Sequence, residues 1–163
     1  MNKQKAILAA GCFWGVEELL REMPGVIDTQ VGYCGGKSAE DALYTKVKTG
    51  QTGHAEAVQI IFDADVLSYE NLIRAFFKLH DPTTLNQQGN DIGTQYRSAI
   101  FYFDAEQKAT AEKVKVEVEA SKKWPRPVVT PVIPAEPFYD AEGYHQDYLQ
   151  KNPDGYTCHY WRE

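Results

Sequence analysis

Cysteine is scarce in this chain of 163 residues: Cys12, Cys34 and Cys158 are an odd number with no Cys-x-x-Cys pair. That scarcity excludes a disulfide framework and a zinc ribbon, and it makes a reducing compartment, the cytoplasm, the default setting. Basic charge is in deficit, with 17 Lys and Arg against 23 Asp and Glu, a formal net charge of −6 and a sequence pI near 5.2. A surface of that sign repels polyphosphate, so neither nucleic acid nor an anionic membrane is an expected partner. No apolar run approaches the roughly 18 residues that a membrane span needs. Internal repeats, low-complexity tracts and linkers are lacking too. What remains is a globular balance, 43 % hydrophobic and 25 % charged, over a length that suits a single domain, residues 1–163.

Periodicity supplies the elements. Lys5 to Ala10 predicts a short buried strand, and Phe13 to Met23 carries Val16, Leu19, Leu20 and Met23 at helical spacing until Pro24-Gly25 stops it. Strand, turn and helix therefore meet at Gly11-Cys12. Val26 to Tyr33 and Ala57 to Asp63 are further strands. Ser68 is an N-cap ahead of a helix whose apolar face holds Leu72, Ile73, Phe76 and Phe77. Asp81 to Gln95 is a polar loop, long enough to suggest a functional role. Tyr96 to Phe103 alternates like a strand. Asp104 with Gln107 resembles a capping box for a helix to about Lys123, supported by Lys113/Glu117 and Glu119/Lys123 pairs. Val128 to Ala135 is expected as a proline-bearing edge strand and Tyr144 to Gln150 as a short helix. The order embeds βαββαβ in one α/β (α+β) domain.

Cys12 is the most informative thiol. A cysteine at a helix N-terminus faces unpaired amides and the positive end of the dipole, which favour thiolate. At a pKa near 8.5 a thiol is only a few per cent ionised at pH 7, whereas near 6 it would be about 90 % nucleophile. Gly53-His54-Ala55-Glu56 leads into a strand, so Glu56 can point from the strand end into a pocket. Cys12 with His54 would also suit a hydrolase or acyltransferase, a competing enzyme class. Leu8-Ala9-Ala10-Gly11-Cys12 mimics a lipoprotein processing site, but its apolar run is shorter than the roughly 7 to 15 residues of a signal segment. Gly36-Lys37-Ser38 mimics a phosphate loop, yet the required first glycine falls at Val31. Cys158-His159 lacks a second ligand pair at zinc spacing, so no metal is expected.

Taken together, Gly11-Cys12-Phe13-Trp14-Gly15, Gly32-Tyr33 with Gly35-Gly36, Gly53-His54-Ala55-Glu56 and Gly89-Asn90-Asp91-Ile92-Gly93-Thr94-Gln95-Tyr96-Arg97-Ser98 resemble the A-class peptide methionine sulfoxide reductases, over nearly the whole chain. The resemblance implies a ferredoxin-like βαββαβ plait, a two-layer sandwich with extensions, acting as a monomer without metal or organic cofactor. It implies reduction of the S epimer of methionine sulfoxide, free or in proteins. In that scheme Cys12 attacks the sulfoxide sulfur, Phe13 and Trp14 hold the S-methyl group, and Glu56 protonates the oxygen, helped by Tyr44 and Tyr96. Asp91 supports the pocket. A sulfenic acid left on Cys12 would be captured by Cys158 as a disulfide, which thioredoxin or a similar dithiol reduces. For Glu56 to serve as an acid at pH 7, its pKa must rise from near 4.3 by about 2.7 units, roughly 3.7 kcal/mol. Cys34 departs from the family pattern and is expected to be an incidental small residue.

Overall fold

The computed structural model describes residues 1–162. In chain order it contains β1 (Lys3–Ala10), α1 (Phe13–Arg21), β2 (Val26–Cys34), α2 (Tyr44–Val47), β3 (Ala55–Asp63), α3 (Tyr69–Leu79), β4 (Gln87–Gln88) and β5 (Asp91–Ile92). It continues with β6 (Ser98–Tyr102), α4 (Ala105–Ala120), β7 (Val132–Pro134), β8 (Tyr139–Asp140) and α5 (Tyr148–Lys151). Short 3-10 turns at Thr94–Tyr96 and Gly143–His145 complete the path.

β1 lies inside a mixed sheet of order β7-β6-β1-β3-β2-β8. Ala6 to Ala10 are all buried, because their small and branched side chains pack on both faces. β1 is antiparallel to β3 and to β6, and β2 is antiparallel to β3, so four inner strands alternate in direction. Leu8, Val31, Val58 and Ile60 face Phe13, Leu20, Leu72 and Phe76 of α1 and α3. On the opposite face Ile7, Ala57 and Phe101 pack under Ile133 and Phe138, near the edge strands. Both faces of the centre are dry, which fixes register: a slip of one residue in β1 would exchange its two faces.

The caps form as expected. Ser68 Oγ accepts from the Asn71 N–H at 3.1 Å, and Asp104 accepts from the Gln107 N–H at 2.8 Å. Gln107 answers by accepting from the Phe103 N–H and donating to the Lys5 carbonyl, which fastens α4 to β1. α4 stops at Ala120, and its charges pair across helices rather than along it. Arg74 of α3 reaches Glu117 at 2.6 Å and Lys113 reaches Glu70 at 3.0 Å.

Three expected elements are shorter. Tyr96 ends a 3-10 turn and β6 begins at Ser98. β7 keeps only Val132–Pro134, parallel to β6, since prolines at 125, 127, 131 and 134 leave few donors for pairing. The helix expected over Tyr144–Gln150 splits at Asp147, whose positive φ of 55° interrupts it. Among the described residues no helix is long and apolar enough to cross a membrane.

Candidate active site

The end of β1 presents the turn. Gly11 has φ +98°, and a Cβ there would stand 2.7 Å from that of Gln88, so only glycine carries the chain into α1. Cys12 follows as the N-cap, in extended geometry with φ −54° and ψ 121°. Its thiol is buried, and its pKa lies well above the ordinary thiol range. Burial is the main cause, with the charges of Glu56 and Asp91 adding to it, while the Trp14 N–H pulls the other way. This corrects the expectation of a resting thiolate. The helix terminus does favour the anion, but desolvation in a closed pocket outweighs it.

Glu56 enters from β3, the strand beside β1. It is 2 % exposed, and its Oε1 accepts from the Phe13 N–H at 3.1 Å, which sets the carboxyl against the first turn of α1. Burial drives its pKa up to about 8; the Phe13 N–H opposes the rise and the charge of Asp91 adds to it. Most Glu56 therefore carries its proton at pH 7, as an acid would require.

The walls are aromatic. Phe13 packs on Tyr33 and on the His145 ring at centroid distances of 5.7 and 5.2 Å. Trp14 stacks on Tyr148 at 3.8 Å and 9°, and its indole N–H donates to His145 Nδ1 at 2.9 Å. Tyr44 leans on the same imidazole at 4.5 Å. Tyr96 is half-buried, and burial together with Glu56, Tyr44, Asp91 and Cys12 raises its pKa, as related causes raise that of Tyr44. Cys12, Glu56, Tyr44, Tyr96 and Asp91 are thus near enough for the charge of one to raise the pKa of another. Among the described residues neither tyrosine hydroxyl has a hydrogen-bond partner.

Asp91 opens β5 in the small hairpin that replaces part of the long loop expected over Asp81–Gln95. Burial raises its pKa, and it accepts from Tyr156 Oη at 3.3 Å. Cys158 is half-buried, with its sulfur 3.9 Å from both Asp91 Oδ2 and the Gln88 carbonyl. All three cysteines are free thiols. Cys34 lies fully buried on the far face of the sheet, donating to the Glu136 carbonyl at 3.5 Å, with burial pushing its pKa to about 11.

The competing readings lose their geometry. His54 accepts from the Gly36 N–H at 3.0 Å and donates to the Ser38 carbonyl at 2.8 Å, so both ring nitrogens serve the loop and neither faces Cys12. Cleavage ahead of Cys12 would remove β1, an inner strand of the sheet. Gly36-Lys37-Ser38 lies in that His54-bound loop rather than at a helix start. Among the described residues there is no cluster of three or more His, Cys, Asp or Glu suited to a metal ion.

The sequence reading gave the segment from Glu142 to Tyr148 no part in the site. Glu142 accepts from Tyr33 Oη and from the Tyr44 N–H, both at 2.9 Å. Gln146 acts as a false strand on β2, accepting from the Val31 N–H at 3.0 Å and donating to its carbonyl at 2.8 Å. These bonds hold His145 against Phe13, Trp14 and Tyr44. The available signal was density: Tyr144, His145, Gln146 and Tyr148 crowd a stretch that shows no periodicity.

A sulfur at a helix mouth, with a buried carboxyl bonded to the same turn, is the arrangement of a cysteine-dependent enzyme. The family model described as peptide methionine sulfoxide reductase matches residues 4–163, and the chain belongs to that family. It is 56 % identical over 161 residues to the peptide methionine sulfoxide reductase MsrA of Mycobacterium tuberculosis, covering 99 % of this chain and 86 % of the relative. Against MsrA of Streptomyces coelicolor the identity is 55 % over 159 residues, 98 % and 90 % of the two chains. The reduced form of Mxr1 from Saccharomyces cerevisiae superposes with a TM-score of 0.94 at 40 % identity, covering 99 % and 93 % of the two chains. The same yeast protein in complex with Trx2 gives 0.67 at 28 % identity, covering 99 % and 91 %.

Proposed function

We propose that this methionine sulfoxide reductase acts on the S epimer, free or in proteins, through a sulfenic acid on Cys12. The observation that carries the reading is the Glu56 carboxyl, buried and bonded to the amide that follows Cys12. With the sulfoxide methyl against Phe13 and Trp14, its oxygen meets Glu56, Tyr44 and Tyr96, while its sulfur faces the thiol. The Cys12 sulfur bonds to the sulfoxide sulfur, and as the oxygen passes to Cys12 and forms its new S–O bond, that S–S bond and the substrate S–O bond break. Glu56 gives its proton to the oxygen and recovers the one that the thiol releases, so thioether and Cys12 sulfenic acid result with no change in total protons. The substrate sulfur gains two electrons and Cys12 loses them. Hydroxyl donors placed for an oxygen hold the sulfoxide and not the thioether, which favours product release. Asp91 keeps the cleft polar beside Cys158.

Cys158 then attacks the sulfenic acid, giving a Cys12–Cys158 disulfide and water, and a thioredoxin-type dithiol restores both thiols. The proximity of Cys158 to Asp91 and the yeast relative's complex with Trx2 support this step. We also read β1, α1, β2, β3, α3 and β6 as a ferredoxin-like plait, supported by the inner order β6-β1-β3-β2, with β7, β8 and α4 as extensions. Turnover of the two separated sulfoxide epimers, with thioredoxin and its reductase supplying electrons, tests the function. The S epimer is expected to be reduced and the R epimer spared, with Cys12→Ser inactive on both; turnover by Cys12→Ser, or preference for the R epimer, would overturn the reading.

A further inference from the structure

The C-terminal segment does not hang free. His159 is 6 % exposed, and its Nε2 lies 2.6 Å from the Ala10 carbonyl oxygen, two residues before Cys12. A carbonyl only accepts, so Nε2 carries the ring proton and Nδ1 is left as an acceptor, 3.9 Å from the Cys158 sulfur. The ring fills a slot cut by the glycines that flank Cys12-Phe13-Trp14. A Cβ on Gly15 would run into Thr157 Oγ1 and stand 2.5 Å from His159 Nδ1, and one on Gly11 would stand 3.3 Å from Nε2. Gly89 makes similar room for Cys158, whose Cβ would lie 3.3 Å away. The Thr157 hydroxyl accepts the His159 N–H at 3.1 Å and closes the turn. Burial keeps the imidazole neutral, with a pKa near 4.

Resting on the Cys12–Cys158 chemistry proposed above, we infer that His159 is a positioning residue for the resolving step: its clasp on Ala10 seats Cys158 over the mouth of α1 and takes no part in sulfoxide reduction. The other contacts of the Cys158 sulfur, to Gln88 and Asp91, are long at 3.9 Å and lie on the β4–β5 hairpin. The clasp is the short bond, and it runs to the strand that leads into Cys12. The step it serves balances without added oxidant: the Cys12 sulfenic acid S–O bond breaks, the S–S bond forms, and the Cys158 thiol proton leaves with hydroxide as water.

The test separates the two half-reactions in wild type, His159→Ala and His159→Gln. One equivalent of methionine S-sulfoxide is mixed with reduced enzyme without thioredoxin. Methionine release reports the first step; sulfenic acid trapped by dimedone and mass mapping of the disulfide report the second. His159→Ala is expected to release methionine within twofold of the wild-type rate, while disulfide formation slows about tenfold or more and trapped sulfenic acid accumulates, since small misplacements of reacting groups cost up to about 100-fold. His159→Gln, whose amide N–H can reach Ala10, is expected to recover most of that loss. Disulfide formation by His159→Ala at the wild-type rate, an equal fall in both steps, or failure of His159→Gln to recover would each overturn the assignment. Absence of the Cys12–Cys158 disulfide in the wild type would instead overturn the recycling scheme beneath it.

Discussion

Two glutamates lie against α1 and both are buried: Glu17 on its body is 1 % exposed, Glu56 at its mouth 2 %. Their surroundings differ in supply. Glu17 accepts from the Thr29 hydroxyl and the Asp147 N–H, both at 2.9 Å, and has Arg21 at 3.4 Å. Burial still raises its pKa, but those partners work against the rise. Glu56 has one amide from Phe13 and the negative charge of Asp91 nearby, and its pKa climbs to about 8. Burial alone therefore does not fix the state of a carboxyl. A carboxyl given donors and a cation serves as a joint, and one denied them keeps its proton and is available for chemistry.

The largest expected effect tests the mouth of α1. Glu56→Gln keeps an oxygen for the Phe13 N–H and nearly the same volume, but it has no proton to give. It should lower kcat/KM by about 10²- to 10⁴-fold. Stability should move the opposite way. A carboxyl raised from 4.5 to about 8 contributes stability that is complete below pH 4.5 and is lost as pH rises through 8. At pH 9 the variant should therefore be more stable than the wild type, by up to about 5 kcal/mol at 1.36 kcal/mol per pH unit, with the gain absent at pH 4. Denaturant titrations at the two pH values check the sign, and a variant that retains its rate within threefold would erase the contrast between the two glutamates.

At Glu17 the balance reverses. Glu17→Ala strands the Thr29 hydroxyl, the Asp147 N–H and part of the Arg21 pairing, so a stability loss of about 3 kcal/mol is expected. The activity of the molecules that remain folded should fall far less than in Glu56→Gln. Parallel denaturation and kcat/KM measurements decide; a stable but inactive Glu17→Ala would mean that the joint, too, belongs to the chemistry.

Much of this was legible in the chain because local rules governed it. The Ala6–Ala10 run, the caps at Ser68 and Asp104, the Pro24-Gly25 stop and Glu56 at a strand end each follow from neighbours within a few residues. What stayed hidden depends on distant partners. α2 at Tyr44–Val47 is four residues without a side-chain cap, held by Glu142 across 98 positions of sequence. β4, β5 and β8 are two residues each, too short for any periodicity. The state of the Cys12 thiol was misjudged for the same reason. The helix terminus is visible in sequence, but the burial that overrides it comes from packing among elements far apart in the chain. In α4 only Val114 is fully buried among Val114, Val116 and Val118, and Val116 is 65 % exposed, so their alternation does not compete with the helix.

The smallest effect sharpens the comparison most, since it needs no mutation to appear. If protonated Glu56 is the working form, kcat/KM should be level from pH 6 to 7.5 and bend downward near pH 8, where the free enzyme loses that proton. The protonated fraction falls from about one half at pH 8 to about one tenth at pH 9, so a roughly fivefold drop is expected over that interval. The thiol cannot produce this limb, because burial holds the Cys12 pKa well above the ordinary range and its ionisation would raise the rate as pH increases. The residual activity of Glu56→Gln, followed over the same pH range, should lack the bend. If the bend persists in that variant, the limb belongs to another group and Glu56 loses its claim to be the acid.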